Sequence, residues 1–278
     1  MYSLNNPLVK DLIKQALIED IGHGDLTTFT IIPENQTVTA RYNAREQCIV
    51  AGLPVLKMIF DLLGGDVNIN YLANEGDRVK AGQDIAEISG NARAILTGER
   101  LSLNFLQRMS AIATMTARYQ EAIKPYKARI CDTRKSCPNF RIFEKYSVSI
   151  GGGSPHRFGL YDCVMIKDNH IAAAGGIEQA VMAAKQKISH TVKIEVETQS
   201  IEEVKQALEA GADIIMFDNM SVTQMEEAVK FVNSQAITEA SGTVTLENIN
   251  NIASSGVDYI STSAITAKAG IIDIGLDF

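Results

Sequence analysis

Sulfur is scarce in this chain and carries no pattern. The four cysteines, Cys48, Cys131, Cys137 and Cys163, show no framework spacing and no C-x-x-C pair. That argues against a disulfide-stapled secreted scaffold and against a cysteine metal cluster, and reduced thiols in a cytoplasmic protein are expected. Long apolar runs are lacking too: none approaches the roughly 18 residues a membrane helix needs. The opening Met1-Tyr2-Ser3-Leu4-Asn5-Asn6-Pro7 has neither the basic region nor the long apolar region of a signal peptide. Positive charge is in short supply, with 26 Lys and Arg against 33 Asp and Glu, a net charge of -7. A nucleic-acid surface asks for a basic face or domain, so no such partner is expected. There is no internal repeat, no low-complexity tract and no Gly-x-Gly-x-x-Gly fingerprint.

What the chain has is a local exception to its own charge. Between Asp132 and His170, Arg134, Lys135, Arg141, Lys145, Arg157 and Lys167 outnumber Asp132, Glu144, Asp162 and Asp168. His156 and His170 fall in the same stretch, as does the run Gly151-Gly152-Gly153. Cations set beside a glycine run point to a small, multiply charged anion. Cys137 lies inside the basic motif with no base marked for it, so a packing or pocket-wall role is expected.

The two halves of the chain have different rhythms. Leu8, Val9, Leu12, Ile13, Ala16 and Leu17 follow Pro7 at helical spacing. From Thr37 to Gly90 short alternating runs take over, with one helix near Val55–Leu63, an α+β pattern. The segment Glu75–Ile88 reads as a plain sheet hairpin; the modifiable lysine motif of a lipoyl or biotinyl carrier is missing. Residues 92–122 read as one long helix. After it, strand-like segments at 128–132, 163–167, 192–197, 213–218, 237–239 and 259–261 alternate with amphipathic stretches at 177–184, 200–210, 224–232 and 246–252. That alternation predicts a parallel α/β sheet, and six strands in about 150 residues suit a small α/β barrel. An open doubly wound sheet is the alternative.

Barrel chemistry sits where strands finish, and here the strands finish in functional groups. The first ends at Asp132-Thr133-Arg134-Lys135 and the second at Lys167-Asp168-Asn169. Lys193, Glu195 and Glu197 share one face of the third. The fourth ends at Asp218-Asn219, the fifth at Glu239-Ala240-Ser241-Gly242, the sixth at Ser261-Thr262-Ser263. Ser241-Gly242-Thr243 reads as a small-residue turn feeding a helix, a place for phosphate. Glu195 and Asp218, on neighbouring strands, are placed to hold Mg²⁺ through oxygen ligands and water. Cations, a phosphate cup and paired carboxylates together suit phosphoryl or phosphoribosyl chemistry.

At these residues the chain resembles the quinolinate phosphoribosyltransferase (nicotinate-nucleotide pyrophosphorylase) family of type II phosphoribosyltransferases. The resemblance runs through Glu19–Thr28, Glu99-Arg100, Leu103–Arg108, Asp132–Lys135, Glu144–Tyr146, Gly151–Gly153, His156-Arg157, Gly159–Asp162, Ile166–Ile171, Glu195–Glu197, Asp218–Met220 and Glu239–Gly242. It implies an α+β sandwich over residues 1–112 and a six- or seven-stranded α/β barrel over 113–278, the extreme C-terminus packing back on the first domain. It implies transfer of phosphoribosyl from phosphoribosyl pyrophosphate to quinolinate with loss of CO2, Mg²⁺ as cofactor, and a homodimer or a hexamer of dimers. Thr133, Arg134, Lys135, His156, Arg157 and Lys167 would line the quinolinate pocket, and Arg100 would reach in from the partner. Glu195 and Asp218 would serve ribose and metal. Ser241, Gly242 and Thr243, with Thr262, Ser263 and Ala264, would hold the 5′-phosphate. The family pattern usually has Gly where Ser263 stands and often His where Ala267 stands. The rival readings are another type II phosphoribosyltransferase and a non-catalytic phosphate-ligand sensor on the same barrel.

Overall fold

A computed structural model describes residues 3–278. Helix α1 (Pro7–Ile21) starts where Asn6 accepts the Leu8 N–H at 2.9 Å, buries Val9, Ile13 and Leu17 at four-residue spacing, and stops at Gly22. Next come α2 (Leu26–Ile31), β1 (Thr37–Ala44), β2 (Cys48–Ile49), α3 (Leu53–Leu63), β3 (Val67–Tyr71), β4 (Arg78–Val79), β5 (Asp84–Asn91) and the long α4 (Ala92–Ala122). The next elements are β6 (Arg129–Cys131), α5 (Arg141–Ile150), β7 (Val164–Ile166), α6 (Asp168–Ala174), α7 (Ile177–Lys185), β8 (Ile194–Thr198) and α8 (Ile201–Glu209). The chain continues through β9 (Ile214–Asp218), α9 (Val222–Val232), β10 (Ile237–Ser241), α10 (Ile249–Ser254), β11 (Tyr259–Ser261), α11 (Ala264–Ala267) and β12 (Ile274–Asp277).

These elements gather into two units. One takes the chain up to Ala117 together with Ser136–Gly152 and Ile265–Phe278; the other takes Arg118–Lys135 and Gly153–Ala264. The first holds an antiparallel sheet in the order β12-β1-β5-β3 and the small pair β2-β4. The expected hairpin within Glu75–Ile88 does not form. β4 pairs with β2 and β5 with β1 and β3, because the apolar face of β5 is buried by distant strands rather than by its neighbour in sequence. Tyr42, Ile85, Ile88, Ile95 and Leu106 are fully buried in this core, and the Tyr42 hydroxyl is satisfied by Ser102 Oγ at 2.7 Å. Strand β12 completes the sheet at the edge of β1, with Asp277 opposite Arg41. Arg108 fastens the approach to it, donating to the carbonyls of Thr266 at 2.7 Å and Gly270 at 2.8 Å.

Helix α5 belongs to this first unit. Its Glu144 is fully buried and lies 3.4 Å from Arg108, and its Lys145 is fully buried as well. Phe143 meets Phe105 edge-on at 4.9 Å.

In the second unit six parallel strands run in the order β6-β11-β10-β9-β8-β7. That is chain order read round a ring, the order a barrel has, and the helices between successive strands are what parallel connections require. On the other side of β6, Ser154 makes one more parallel bridge to Cys131. The ladder buries Ile130, Val196, Ile215, Phe217, Ala240 and Ile260.

The glycine run has a packing role. Gly152 takes φ 85°, and a Cβ at Gly151 would stand 2.4 Å from the Ala113 carbonyl oxygen and 2.7 Å from Thr116 Cβ of α4. It is a close approach of one helix end to another helix's backbone, not an anion cradle. Gly151→Ala is therefore expected to cost about 1–3 kcal/mol in urea unfolding, the range of an overpacked core. A loss below about 0.5 kcal/mol, as at an unconstrained surface position, would refute the contact.

Candidate active site at the strand ends

The carboxyl ends of the six strands open on a cavity of about 690 Å³. From the end of β6 come Thr133, Arg134 and Lys135, with Thr133 Oγ1 accepting the Lys135 N–H at 3.1 Å. The turn after Ser154 brings His156 and Arg157, its path fixed where Asp132 Oδ1 accepts the His156 N–H at 2.7 Å. Asp132 is 1% exposed, so this carboxylate is a structural acceptor beneath the rim.

Lys167 arrives from β7 and pairs with Glu197 of β8 across the ladder. His170, singled out with it in the sequence, does not line the cavity. Its Nδ1 accepts the Lys167 N–H at 3.0 Å and caps α6. β9 contributes Met216, Asp218 and Asn219, β10 ends in Ser241, Gly242 and Thr243, and β11 in Ser261, Thr262 and Ser263. Ala264 is not among the lining residues; its N–H donates to Thr262 Oγ1 at 3.1 Å and begins α11.

Of the cations counted between residues 132 and 170, Arg134, Lys135, Arg157 and Lys167 line the cavity. Arg141 and Lys145 belong to the first unit, where Arg141 Nε donates to Ser136 Oγ at 2.9 Å. Arg100 is exposed on α4 in the first unit.

Glu195 differs most from expectation. It is 1% exposed and lies with His156 and Glu239 inside the strand ring. In register it stands opposite Ile214, and Asp218 is four residues further along β9, roughly 13 Å at the rise of a parallel strand. Ligands of one Mg²⁺ sit about 2.0–2.1 Å from the ion, so Glu195 and Asp218 do not form one metal site. The carboxylates that do reach the cavity are Glu197 and Asp218. Burial raises the carboxyl of Glu195 above the usual range, while His156 pulls it the other way. For His156 burial disfavours the cation while the Glu195 and Glu239 carboxylates favour it; the Arg157 N–H donated to Nδ1 takes up that nitrogen's lone pair, which leaves the ring neutral with its hydrogen on Nε2.

The turn expected to hold phosphate is also built differently from the sequence reading. Helix α10 begins at Ile249, so no helix start lies directly behind Ser241-Gly242-Thr243. The turn is shaped by Asn219 instead. Asn219 takes φ 55°, a left-handed conformation that Asn tolerates, and its Oδ1 accepts the Thr243 N–H at 3.3 Å. Gly242 has φ 125°, and a Cβ there would stand 2.3 Å from that same oxygen. Met165 and Met216 were not singled out from the sequence; Asn219 was named there as a strand-end residue, and the choice between Glu195 and Glu197 as the main carboxylate stayed open. The signal for Asn219 was present, since an Asp-Asn pair at a strand end is turn chemistry.

Gly242→Ala is expected to weaken binding of inorganic phosphate by about tenfold or more in calorimetric titration, the equivalent of losing one charged hydrogen bond. The circular dichroism spectrum should be unchanged. An unaltered phosphate affinity would detach this turn from anion binding.

Comparison with known proteins places the chain plainly. The family model for the quinolinate phosphoribosyl transferase C-terminal domain matches residues 112–277, and that for the N-terminal domain matches 25–110. A probable nicotinate-nucleotide pyrophosphorylase (carboxylating) of Bacillus subtilis is 43% identical over 274 residues, covering 99% of this chain and 94% of the relative. The chloroplastic nicotinate-nucleotide pyrophosphorylase (carboxylating) of Arabidopsis thaliana is 43% identical over 96% of this chain and 82% of its own length. The solved nicotinate-nucleotide pyrophosphorylase of Francisella tularensis superposes with a TM-score of 0.94 at 39% identity, covering 99% of this chain and 98% of its own.

Proposed function

Because the chain belongs to the quinolinate phosphoribosyl transferase family, we propose that its rim cavity joins quinolinate to phosphoribosyl pyrophosphate, giving nicotinate mononucleotide, CO2 and pyrophosphate in de novo NAD biosynthesis. The observation that carries this reading is a single cavity lined by Arg134, Lys135, Arg157 and Lys167, by Glu197 and Asp218, and by the Ser241–Thr243 turn. Quinolinate has two adjacent carboxylates, which call for several fixed cations. Arg134 and Arg157 offer bidentate recognition, and Lys135 and Lys167 point charges. The turn, with Thr262 and Ser263, offers hydroxyls and backbone N–H groups to the 5′-phosphate.

The pyridine nitrogen bonds to ribose C1′ as the bond from C1′ to the pyrophosphate oxygen breaks. Asp218 and Glu197 stabilise the oxocarbenium-like ribose by their charge. Ribosylation leaves the ring nitrogen cationic. The bond from C2 to its carboxylate then breaks, its electron pair stays at C2 beside that nitrogen, CO2 departs and C2 takes a proton. The side chains orient and match charge; none forms a covalent bond. Mg²⁺ would neutralise the leaving pyrophosphate. Asp218 suits it: Asn219 Nδ2 donates to Oδ1 at 3.1 Å, which presents Oδ2 for an ion that takes most of its ligands from water and substrate phosphates. The site works in this reading within a cytoplasmic protein, for which four free cysteines are suitable.

Release of labelled CO2 from quinolinate, dependent on phosphoribosyl pyrophosphate, tests the reaction; no release would sink it. Arg134→Ala, Arg157→Ala and Lys167→Ala should each lower kcat/KM for quinolinate by roughly 30-fold to several-thousand-fold, as for removing one member of a buried charge pair. The KM for phosphoribosyl pyrophosphate should move far less.

The assembly in this reading is a homodimer, or a hexamer of dimers, each site completed by Arg100 of the partner subunit. Supporting it, Arg100 is exposed and makes no ion pair among the described residues. Arg100→Ala and Lys167→Ala proteins should each be nearly inactive. Mixed under conditions of proven subunit exchange, they should regain up to about a quarter of wild-type sites, one intact site per heterodimer. No recovery would remove Arg100 from the neighbouring site.

A further inference from the structure

His156 and Arg157 form a wall with a cavity on either side. Both line the rim cavity. Both also line a second one, of about 460 Å³, at the opposite ends of the strands, where β9, β10 and β11 begin at Ile214, Ile237 and Tyr259. On that second side the wall rests on two carboxylates. His156 Nε2 lies 3.3 Å from Glu239 Oε1 and 3.5 Å from Glu195 Oε1. Glu239 and Glu195 are 4% and 1% exposed, and neither lines the rim cavity. Apart from the His156 Nε2 contact, both Glu195 oxygens and Glu239 Oε1 have no hydrogen-bond partner among the described residues. Two buried carboxylates held this way are a cost to folding, so a role at the site is the natural reason for them.

A metal ion bound by the three groups fails at the other ring nitrogen. His156 Nδ1 accepts the Arg157 backbone N–H at 2.7 Å. That bond assigns the lone pair to Nδ1 and the hydrogen to Nε2, leaving Nε2 none to give an ion. Instead the ring is a strut: carboxylates at one nitrogen, the Arg157 amide at the other. Arg157 then turns two of its N–H groups into the wall, Nη1 to the Cys163 carbonyl at 3.1 Å and Nη2 to Met165 Sδ at 3.4 Å.

We propose that Glu239 and Glu195 are positioning residues for quinolinate, holding His156 Nε2–H from the second cavity so that the ring fixes the Arg157 amide and its guanidinium at the rim. The inference rests on the proposed reaction. It predicts a defect confined to the pyridine substrate, since neither carboxylate lines the rim cavity and both reach it only through His156 and Arg157.

The test is steady-state kinetics with each substrate varied, on Glu239→Leu, Glu195→Leu, Glu239→Gln and Glu195→Gln, together with ¹⁵N NMR of the His156 ring. Leu removes the acceptor and Gln keeps one. The Leu variants should raise the quinolinate KM about tenfold or more, with the KM for phosphoribosyl pyrophosphate within about twofold, and the Gln variants should stay within about threefold for both. Wild-type His156 should show the Nε2–H tautomer, and the Leu variants should lose that single tautomer. An unchanged or lower quinolinate KM in the Leu variants would overturn the proposal, the carboxylates then merely repelling the dianion. So would a wild-type ring protonated at Nδ1. Should the Leu variants not fold, Glu239→Asp, which draws the acceptor back by one methylene, gives the same comparison. Wild-type protein that fails to turn over quinolinate would refute the reaction itself, while the ring's tautomer would still judge the strut.

Discussion

The site depends on one constraint, the register of a parallel ladder. Parallel strands rise about 3.3 Å per residue and alternate strictly between faces. Side chains two residues apart therefore point the same way but stand at different heights. Six strands in one ladder bring six ends to one rim, and within β8 that step divides the labour. Glu197 reaches the cavity and Lys167, while Glu195, one step below, faces His156 and Glu239 in the interior. Had β8 slipped by a single residue against β9, both carboxylates would have turned to the helix layer and Val196 inward.

The same geometry explains what could be read from the sequence and what could not. Alternation of strands and amphipathic helices was plain in residues 128–261, because each element carries its own period, and the six strand ends followed from it. Glu195 and Glu197 have the same parity, so periodicity puts both on the inner face and is blind to height. Height is set by pairing with β9, a contact between residues far apart in the chain. Non-local pairing likewise hid the partners of β4 and β5, and it hid the return of α5 to the first unit, where Glu144 and Arg108 meet. Gly151 carried a true signal that was given the wrong cause. Glycine marks a place where a Cβ cannot fit, and the sequence does not say whether the crowding atom belongs to a ligand or to another helix.

A site for a small dianion must hold cations that do not cancel among nearby acids. Lys167 is paired with Glu197. Arg157 has two N–H groups turned to a carbonyl and a thioether, neither of them charged. The acids nearest the wall, Glu195 and Glu239, face the ring of His156. Histidine thus stands between two carboxylates and the guanidinium of the next residue, keeping opposite charges near one another in the fold without letting them collapse into an ion pair. Arginine bound to neutral partners keeps its full charge for an incoming anion, at little reorganisation.

The edge strand β12 pairs with β1 but is synthesised after every strand of the ladder. On the ribosome, then, the unit that begins first is completed second. Residues 118–135 and 153–264 are all synthesised while β1 still presents an unpaired edge and Arg108 has no carbonyls to hold. An open edge of this kind is a template for pairing with another chain. That edge stays unpaired through the whole stretch of translation from β1 to β12, and there a chaperone at the tunnel exit would find a target.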